Sequence, residues 1–350
     1  MKLVKSSYKE DVVFLLKDLS KEINEITVEE KEKLINSGIN YSEFISKESI
    51  PSKEMIEIFL SLLEDKKEEI AKYVEIISDT IFKEKGEKLV IVSLARAGTP
   101  FGILIKKYIK FKYNIDIPHY SISIIRGKGI DFNALKFILK EHKGGLIQFV
   151  DGWTGKGSIT KELDKSIKLF NREFGENVSS GLAAIADPAM LCTVCGTRED
   201  IAIPNCCLNS TVSGLISRTI HNDKYINEDD FHGAKYLDYL EEYDFSNEFI
   251  KKIEECFKIE DYDMAKYKRE KTAEKIVQDV REEFDVADIN KIKLSIGEAS
   301  RALLRRQVRC ILIKDIEEKD VKHIIQLSKE KDVKVLKYDK THYECIAIIK

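Results

Sequence analysis

Twice in this chain a short β-branched run ends in a turn of small residues and passes straight into a helix. Leu89-Val-Ile-Val-Ser-Leu94 leads through Ala95-Arg-Ala-Gly-Thr-Pro100 into a helical Phe101-Gly-Ile-Leu-Ile-Lys-Lys-Tyr108. Leu146-Ile-Gln-Phe-Val-Asp151 leads through a Gly-rich turn into a helical Ile159–Phe170. Strands alternating with helices in this way specify an α/β fold with a parallel sheet, whose ligands sit at the carboxyl ends of the strands. The last 65 residues repeat the alternation on a smaller scale, with strands near 310–313, 334–338 and 344–349. The expected organisation is a large α/β domain over 1–255 with an N-terminal helical extension, a charged helical connector over 256–284, and a small α/β/α domain over 285–350. Within the extension, Asp11–Leu19 has apolar spacing near 3.6 and reads as helix. A second helix begins at Ser52, a capping residue just after Pro51.

Composition narrows the function classes. With 43% hydrophobic and 34% charged residues the 350-residue chain has material for real cores under a mixed-sign surface. Five prolines and 17 glycines exclude collagen-like and Pro/Gly-rich disordered classes. No apolar run reaches the roughly 18 residues of a membrane span, and the start, MKLVKSSYKEDV, has no apolar signal core. A soluble, cytoplasmic protein with no membrane partner is expected. The odd count of seven cysteines fits a reducing compartment rather than a disulfide framework. The net charge of −3 is uneven: residues 288–350 carry 15 Lys/Arg against 10 Asp/Glu, a basic module suited to a polyanion, on an acidic body.

Three loops carry the candidate chemistry. In Asp151-Gly-Trp-Thr-Gly-Lys-Gly-Ser158 an acid ends a strand and Thr154, Gly155, Lys156, Gly157 and Ser158 open a helix, so backbone N–H groups and the helix dipole favour a phosphate. This is not a Walker loop, because Val150 stands where glycine is required. In the second loop Arg96 offers a planar fork for an anion, and Ala97, Gly98 and Thr99 allow close backbone approach. The third, Arg126-Gly-Lys128-Gly129, is cationic and flexible, the composition of a lid. Beyond them, Asn209, Ser210, Thr211 and Ser213 lie where a helix should begin and exceed what capping needs. With Arg198 and Arg218 they read as an acceptor-recognition wall. Cys192, Cys195, Cys206 and Cys207 lack the spacing of a four-thiolate site, and no zinc is expected. In the C-terminal module Arg301 and Arg305 lie one turn apart beside Glu298 and Arg306, so both arginines can reach the phosphates of a polyanion.

The segments SLARAGTPFGILIKKY, HYSISIIRGKGID, IQFVDGWTGKGSI and GTREDIAIPNCCLNSTVSGLISRT closely resemble the phosphoribosyltransferase-like family found with tellurium-resistance and stress-response genes, also labelled cysteine protease StiP. The likeness runs from about Tyr8 to Glu255. It implies a type I phosphoribosyltransferase fold, with phosphoribosyl pyrophosphate and Mg²⁺ as ligands. The 154–158 loop would hold the 5-phosphate, Arg96 to Thr99 and Lys128 the pyrophosphate, and Asp151 the ribose and, through the ligand, Mg²⁺. The chain departs from ordinary members of that fold where Gly152 replaces the second of two adjacent acids. Trp153, in the same loop, reads as a stacking platform or a structural wedge. The C-terminal module resembles the RNA-binding fold shared by Pelota and the kink-turn binders, with Gly297 where those have asparagine.

The main expectation is therefore a phosphoribosyltransferase acting in stress response, with an RNA- or nucleobase-related acceptor and a homo-oligomer left open. A nucleotide sensor that binds RNA is the first alternative. The second is a cysteine peptidase using Cys207, with His221 or His232 as its base.

Overall fold

The computed structural model describes residues 1–8, 10–27, 30, 33–34, 37–260 and 272–350. Its centre is a seven-stranded sheet in the order β1-β4-β3-β6-β7-β8, with β1 (Val13–Phe14) at one edge and β5 (Gly129–Ile130) also on the outer side of β4. Strands β3 (Leu89–Ala95), β4 (His119–Ile125), β6 (Leu146–Trp153), β7 (Leu182–Ala186) and β8 (Val194–Thr197) all pair in parallel. The chain moves outward from β3 to β4 and then returns across β3 to begin β6. That reversal leaves a crevice between the carboxyl ends of β3 and β6, where the 95–99 and 151–158 loops emerge.

Each strand is buried because its apolar residues alternate between two cores. Ile91 and Val150 join the core shared with the Lys53–Lys85 and Thr99–Tyr113 helices, while Val90, Val92 and Phe149 join the core beneath the Phe132–Glu141 and Ser158–Phe174 helices. The Lys53–Lys85 helix starts at Ser52, whose side chain accepts from Met55 N at 3.3 Å. Gly86 ends it with a positive φ.

Residues 11–19 are not the expected helix. Val13–Phe14 forms β1, parallel to β4, and Lys17–Asp18 forms β2, paired with β9 (Gly233–Ala234). Leu15 and Leu16 are both fully buried but enter opposite cores, which extended backbone allows and a helix does not.

The C-terminal unit is a four-stranded sheet ordered β10-β13-β11-β12, from Ile292–Leu294, Cys345–Ile349, Val308–Ile313 and Lys334–Lys337. The Ile296–Arg305 and Lys322–Glu330 helices flank it. The helix Ala273–Glu283 lies within the segment expected as a connector. Its Ile276, Val277 and Val280 are buried in a cluster with Ile292, Leu312 and Ile348 of this sheet. Residues 261–271 of that segment lie outside the described residues. One apolar core runs through both units: Cys206, Cys207 and Leu208 share it with Ile296, Ala299, Leu303 and Ile324. Among the described residues no helix is long and apolar enough to cross a membrane.

Gly98 is required at the crevice, since a Cβ there would stand 2.2 Å from the carbonyl oxygen of Val150. Gly98→Ala is expected to cost about 1–3 kcal/mol through a forced separation of the two loops, read by chemical denaturation.

Candidate active site

The loop after β3 is anchored rather than open. Arg96 donates to Glu48 Oε1 at 2.5 Å and to the carbonyl of Ile216 at 2.6 Å. Burial works against the Glu48 carboxylate, but the Arg96 and Arg305 guanidiniums more than offset it and hold its pKa below the ordinary range. Ser210 Oγ donates to the same carboxylate at 2.9 Å. Thr99 Oγ1 pairs with Ser121 Oγ at 2.8 Å inside the protein. Ala97 lines two cavities of about 510 and 300 Å³ that open at the crevice. Lys128, on the expected lid, lies 3.5 Å from Glu43.

The loop after β6 is the floor on which the C-terminal unit sits. Asp151 accepts from Gly152 N at 2.8 Å. Burial raises its carboxyl to about 6; the Gly152 N–H and Arg301 oppose the rise and Glu298 adds to it. The carboxyl therefore loses its charge below about that pH. Thr154 donates to Asp187, and the carbonyl of Gly155 accepts from Tyr343 Oη at 2.8 Å. Lys156 donates to the carbonyls of Ile289 at 2.7 Å and Ile292 at 3.3 Å. Gly157 takes a positive φ just before the Ser158–Phe174 helix. The guanidinium of Arg301 lies 4.2 Å over the ring of Trp153, and a Cβ on Gly297 would come within 2.4 Å of that ring. Trp153 is thus a wedge under the Ile296–Arg305 helix. Glycine at 297, where asparagine is expected, is what lets the helix approach it.

That helix carries all but one of the residues expected to meet RNA. Glu298 packs over Gly155 and lies 3.8 Å from Arg301. Arg301 lines both cavities, Arg305 the smaller, and Arg306, just past the helix end, the larger. The expected RNA face is turned toward the 151–158 loop. Arg218 lines both cavities, and Asn209 and Ser213 line the smaller one. The expected helix at 209 is only a 3₁₀ turn, Ser210–Val212. Its polar residues serve the fold: Ser213 Oγ donates to the Asn209 carbonyl at 2.7 Å, and the Thr211 carbonyl accepts from Phe245 N at 2.8 Å. Arg198 pairs with the buried Asp187.

The thiols tell a different story from their spacing. Cys206 and Cys207 sit on the Pro204–Cys206 turn, buried against the C-terminal unit. Cys206 Sγ lies 3.4 Å from Ser300 Oγ and 3.9 Å from His323 Nε2, and those two atoms are 2.8 Å apart. Hydrogen bonding from Cys207 lowers the Cys206 pKa well below the usual thiol value, with His323 and Ser300 adding to the effect against burial. Its neighbour Cys207, as the donor, is pushed up. Cys206, Cys207 and His323 offer ligand atoms within 4.8 Å of one another, a soft donor set able to hold a metal ion. Neither expected base is there. His232 Nδ1 is engaged by Ser123 Oγ at 2.8 Å, and its ring packs 4.7 Å from His221. Burial lowers the His232 pKa to about 3. Sequence reasoning missed His323 and Ser300 because they come from a different unit, 117 and 94 residues away from Cys206.

Residues 5–254 match the family described as tellurite-like stress resistance cysteine protease StiP. The chain belongs to the StiP family. Residues 271–350 match the PELOTA RNA binding domain. A relative from Acinetobacter baylyi, named cysteine protease StiP, is 35% identical over 339 residues, covering 91% of this chain and 87% of the relative. These descriptions overturn the phosphoribosyltransferase activity expected as the main reading, with cysteine peptidase chemistry as the minority one. Of the residues expected to hold the 5-phosphate, Gly155 and Lys156 contact the C-terminal unit and Thr154 bonds to Asp187 within the large unit. Thr154, Gly155, Lys156 and Arg301 are all committed to contacts within the chain.

The two units are also joined by Asp200, whose carboxyl oxygens accept from Ile296 N at 3.0 and 3.2 Å and from Glu344 N at 3.0 Å. Burial raises its pKa to about 8 against these N–H donors. The native state then holds a proton that an unfolded carboxylate, with a pKa near 3.9, releases. Stability is expected to be full below about pH 4 and to fall, by on the order of a few kcal/mol, as pH rises through 8. Denaturation midpoints across this window should show the slope in the native chain and lose it in Asp200→Asn.

Proposed function

We propose that this chain is a cysteine peptidase in which Cys206, not Cys207, is the nucleophile and His323 the base. The observation that supports the reading is the Cys206–Ser300–His323 contact, in which the large unit supplies the thiol and the RNA-binding-type unit supplies the imidazole. The lowered pKa of Cys206 favours the thiolate, which is the reactive form. Its sulfur would attack the scissile carbonyl carbon and form a thioester as the C–N bond breaks. His323 would give the proton to the leaving amine, then take one from the water that hydrolyses the thioester. Cys206 is 0% exposed and His323 6%, so a substrate reaches the sulfur only when the C-terminal unit lifts from the Pro204–Cys206 turn. In this reading the docked arrangement is the resting state. The PELOTA domain is the element that moves, and RNA is its expected partner. Contact with RNA through Glu298, Arg301 and Arg305 requires the same release.

Cys206→Ala should abolish hydrolysis of a fluorogenic casein substrate, and Cys207→Ala, which removes only the thiol that lowers the Cys206 pKa, should reduce it without abolishing it. His323→Gln should lower kcat/KM at least roughly 100-fold. Loss of activity in Cys207→Ala alone would reassign the nucleophile. Filter binding of single-stranded RNA to the full chain should weaken linearly in log–log form as salt rises, and a flat response would remove RNA as the partner.

A further inference from the structure

Beside the candidate nucleophile stands a second sulfur that peptide hydrolysis leaves without a chemical role. Cys206 Sγ, Cys207 Sγ and His323 Nε2 all lie within 4.8 Å of one another. Side chains of adjacent residues point to opposite faces of a strand, but here the chain turns. Cys206 ends the Pro204–Cys206 turn and Cys207 follows with φ −74° and ψ −26°. Both sulfurs thereby come within reach of the Lys322–Glu330 helix, which carries His323. Cysteine spacing argued against zinc by counting thiolates, whereas the third donor here is an imidazole from the other unit.

The distances suit a metal ion. Zinc bonds of about 2.3 Å to sulfur and about 2.0 Å to nitrogen set those donors roughly 3.5–3.7 Å apart, for tetrahedral to trigonal angles. Cys206 Sγ stands 3.9 Å from His323 Nε2. Ser300 Oγ, 3.4 Å from that sulfur and 2.8 Å from that nitrogen, places an oxygen beside the pair.

The surroundings select the ion. Cys206, Cys207 and His323 are 0%, 2% and 6% exposed, and both sulfurs belong to the apolar core that includes Ile296, Ala299, Leu303 and Ile324. Net charge is costly in such a place. Two thiolates and a neutral imidazole around a divalent ion carry none, whereas copper(I) would leave one negative charge buried. Hard cations such as Mg²⁺ and Ca²⁺ prefer oxygen donors to sulfur. Cys192 and Cys195 take no part, being packed in the other core.

We propose that Cys206, Cys207 and His323 bind one zinc ion, which pins the C-terminal unit to the Pro204–Cys206 turn. As each Zn–S bond forms, the proton on that sulfur leaves for solvent. His323 binds through neutral Nε2, giving up its hydrogen bond with Ser300. Two ligands come from the large unit and one from the PELOTA domain, so the ion enters as the seam parts and then holds it closed. Zinc binding itself does not rest on the peptidase reading. Where that reading holds, zinc on the Cys206 sulfur keeps the enzyme stored in its docked, inactive state.

The test uses the full chain, reduced and stripped of metal with a chelator, titrated with Co²⁺ and then with Zn²⁺. Thiolate-to-cobalt charge-transfer absorption is expected, saturating at one ion per chain and erased by one equivalent of Zn²⁺. Losing a group that merely supports a ligand weakens metal sites roughly 10–100-fold, so Cys206→Ser, Cys207→Ser and His323→Gln should each weaken zinc at least about 100-fold. Cys192→Ser should leave the affinity unchanged. Zinc should also raise the thermal midpoint of the native chain, and His323→Gln should lose that increment. Midpoints measured in chelator identify any variant that has lost its fold. In the native chain, absence of the charge-transfer band overturns the proposal outright. A band and a midpoint increment that both survive in folded His323→Gln overturn it too, since the ion would then not join the units. None of these readouts uses peptide hydrolysis, so failure here leaves the peptidase reading standing, and the reverse.

Discussion

The rest of this structure depends on the docking of one helix N-terminus against a buried carboxyl group. The first turn of the Ile296–Arg305 helix begins with N–H groups that have no intrahelical partner. Asp200, from the other unit, accepts the Ile296 N–H, and its second contact, with Glu344 N, ties down the neighbouring strand. Around this point Trp153 fills the space left by Gly297, Arg301 covers the ring, and Cys206 to Leu208 join Ala299 and Leu303 in one apolar core. The polar contacts alone would be weak. Buried together with the apolar surface, they fix one register between two otherwise separate sheets.

That register assembles the thiol site. Cys206 lies on a short turn of the large unit, while Ser300 and His323 come from two helices of the small one. Any slip of the helix against the turn separates sulfur from imidazole. The same register encloses the cavities and turns the basic helix inward. One interface thus governs the thiol, the cavities and the surface expected to meet RNA. A chain built this way is suited to control by whatever opens or clamps that interface.

Much of the fold was legible because the physics is local. β-Branched runs flanked by small-residue turns marked β3 and β6, and both loops do emerge at the sheet's switch point. Ser52 announced its helix through a side-chain cap. Residues 11–19 were misread because 3.6-residue spacing of apolar side chains also arises when adjacent leucines serve two cores on opposite sides of an edge strand. The polar run at 209–213 opens a 3₁₀ turn rather than the expected helix, and Asn209 and Ser213 line the smaller cavity. The Ser210 hydroxyl donates to Glu48 and the Ser213 hydroxyl to a backbone carbonyl, and composition does not distinguish a donor facing a ligand from one facing the chain.

The sequence by itself determined the α/β class, the two crevice loops, the basic C-terminal module and membership of its family, because each is written in residues close together in the chain. Only the tertiary structure decided which cysteine matters and what the loops face. Cys206 and Cys207 are neighbours with nearly the same local surroundings, yet one sulfur meets Ser300 and His323 and the other donates to its neighbour. Their difference is created by side chains that burial of a shared apolar core brings across the seam. Long-range packing of that kind leaves no periodicity or spacing to read.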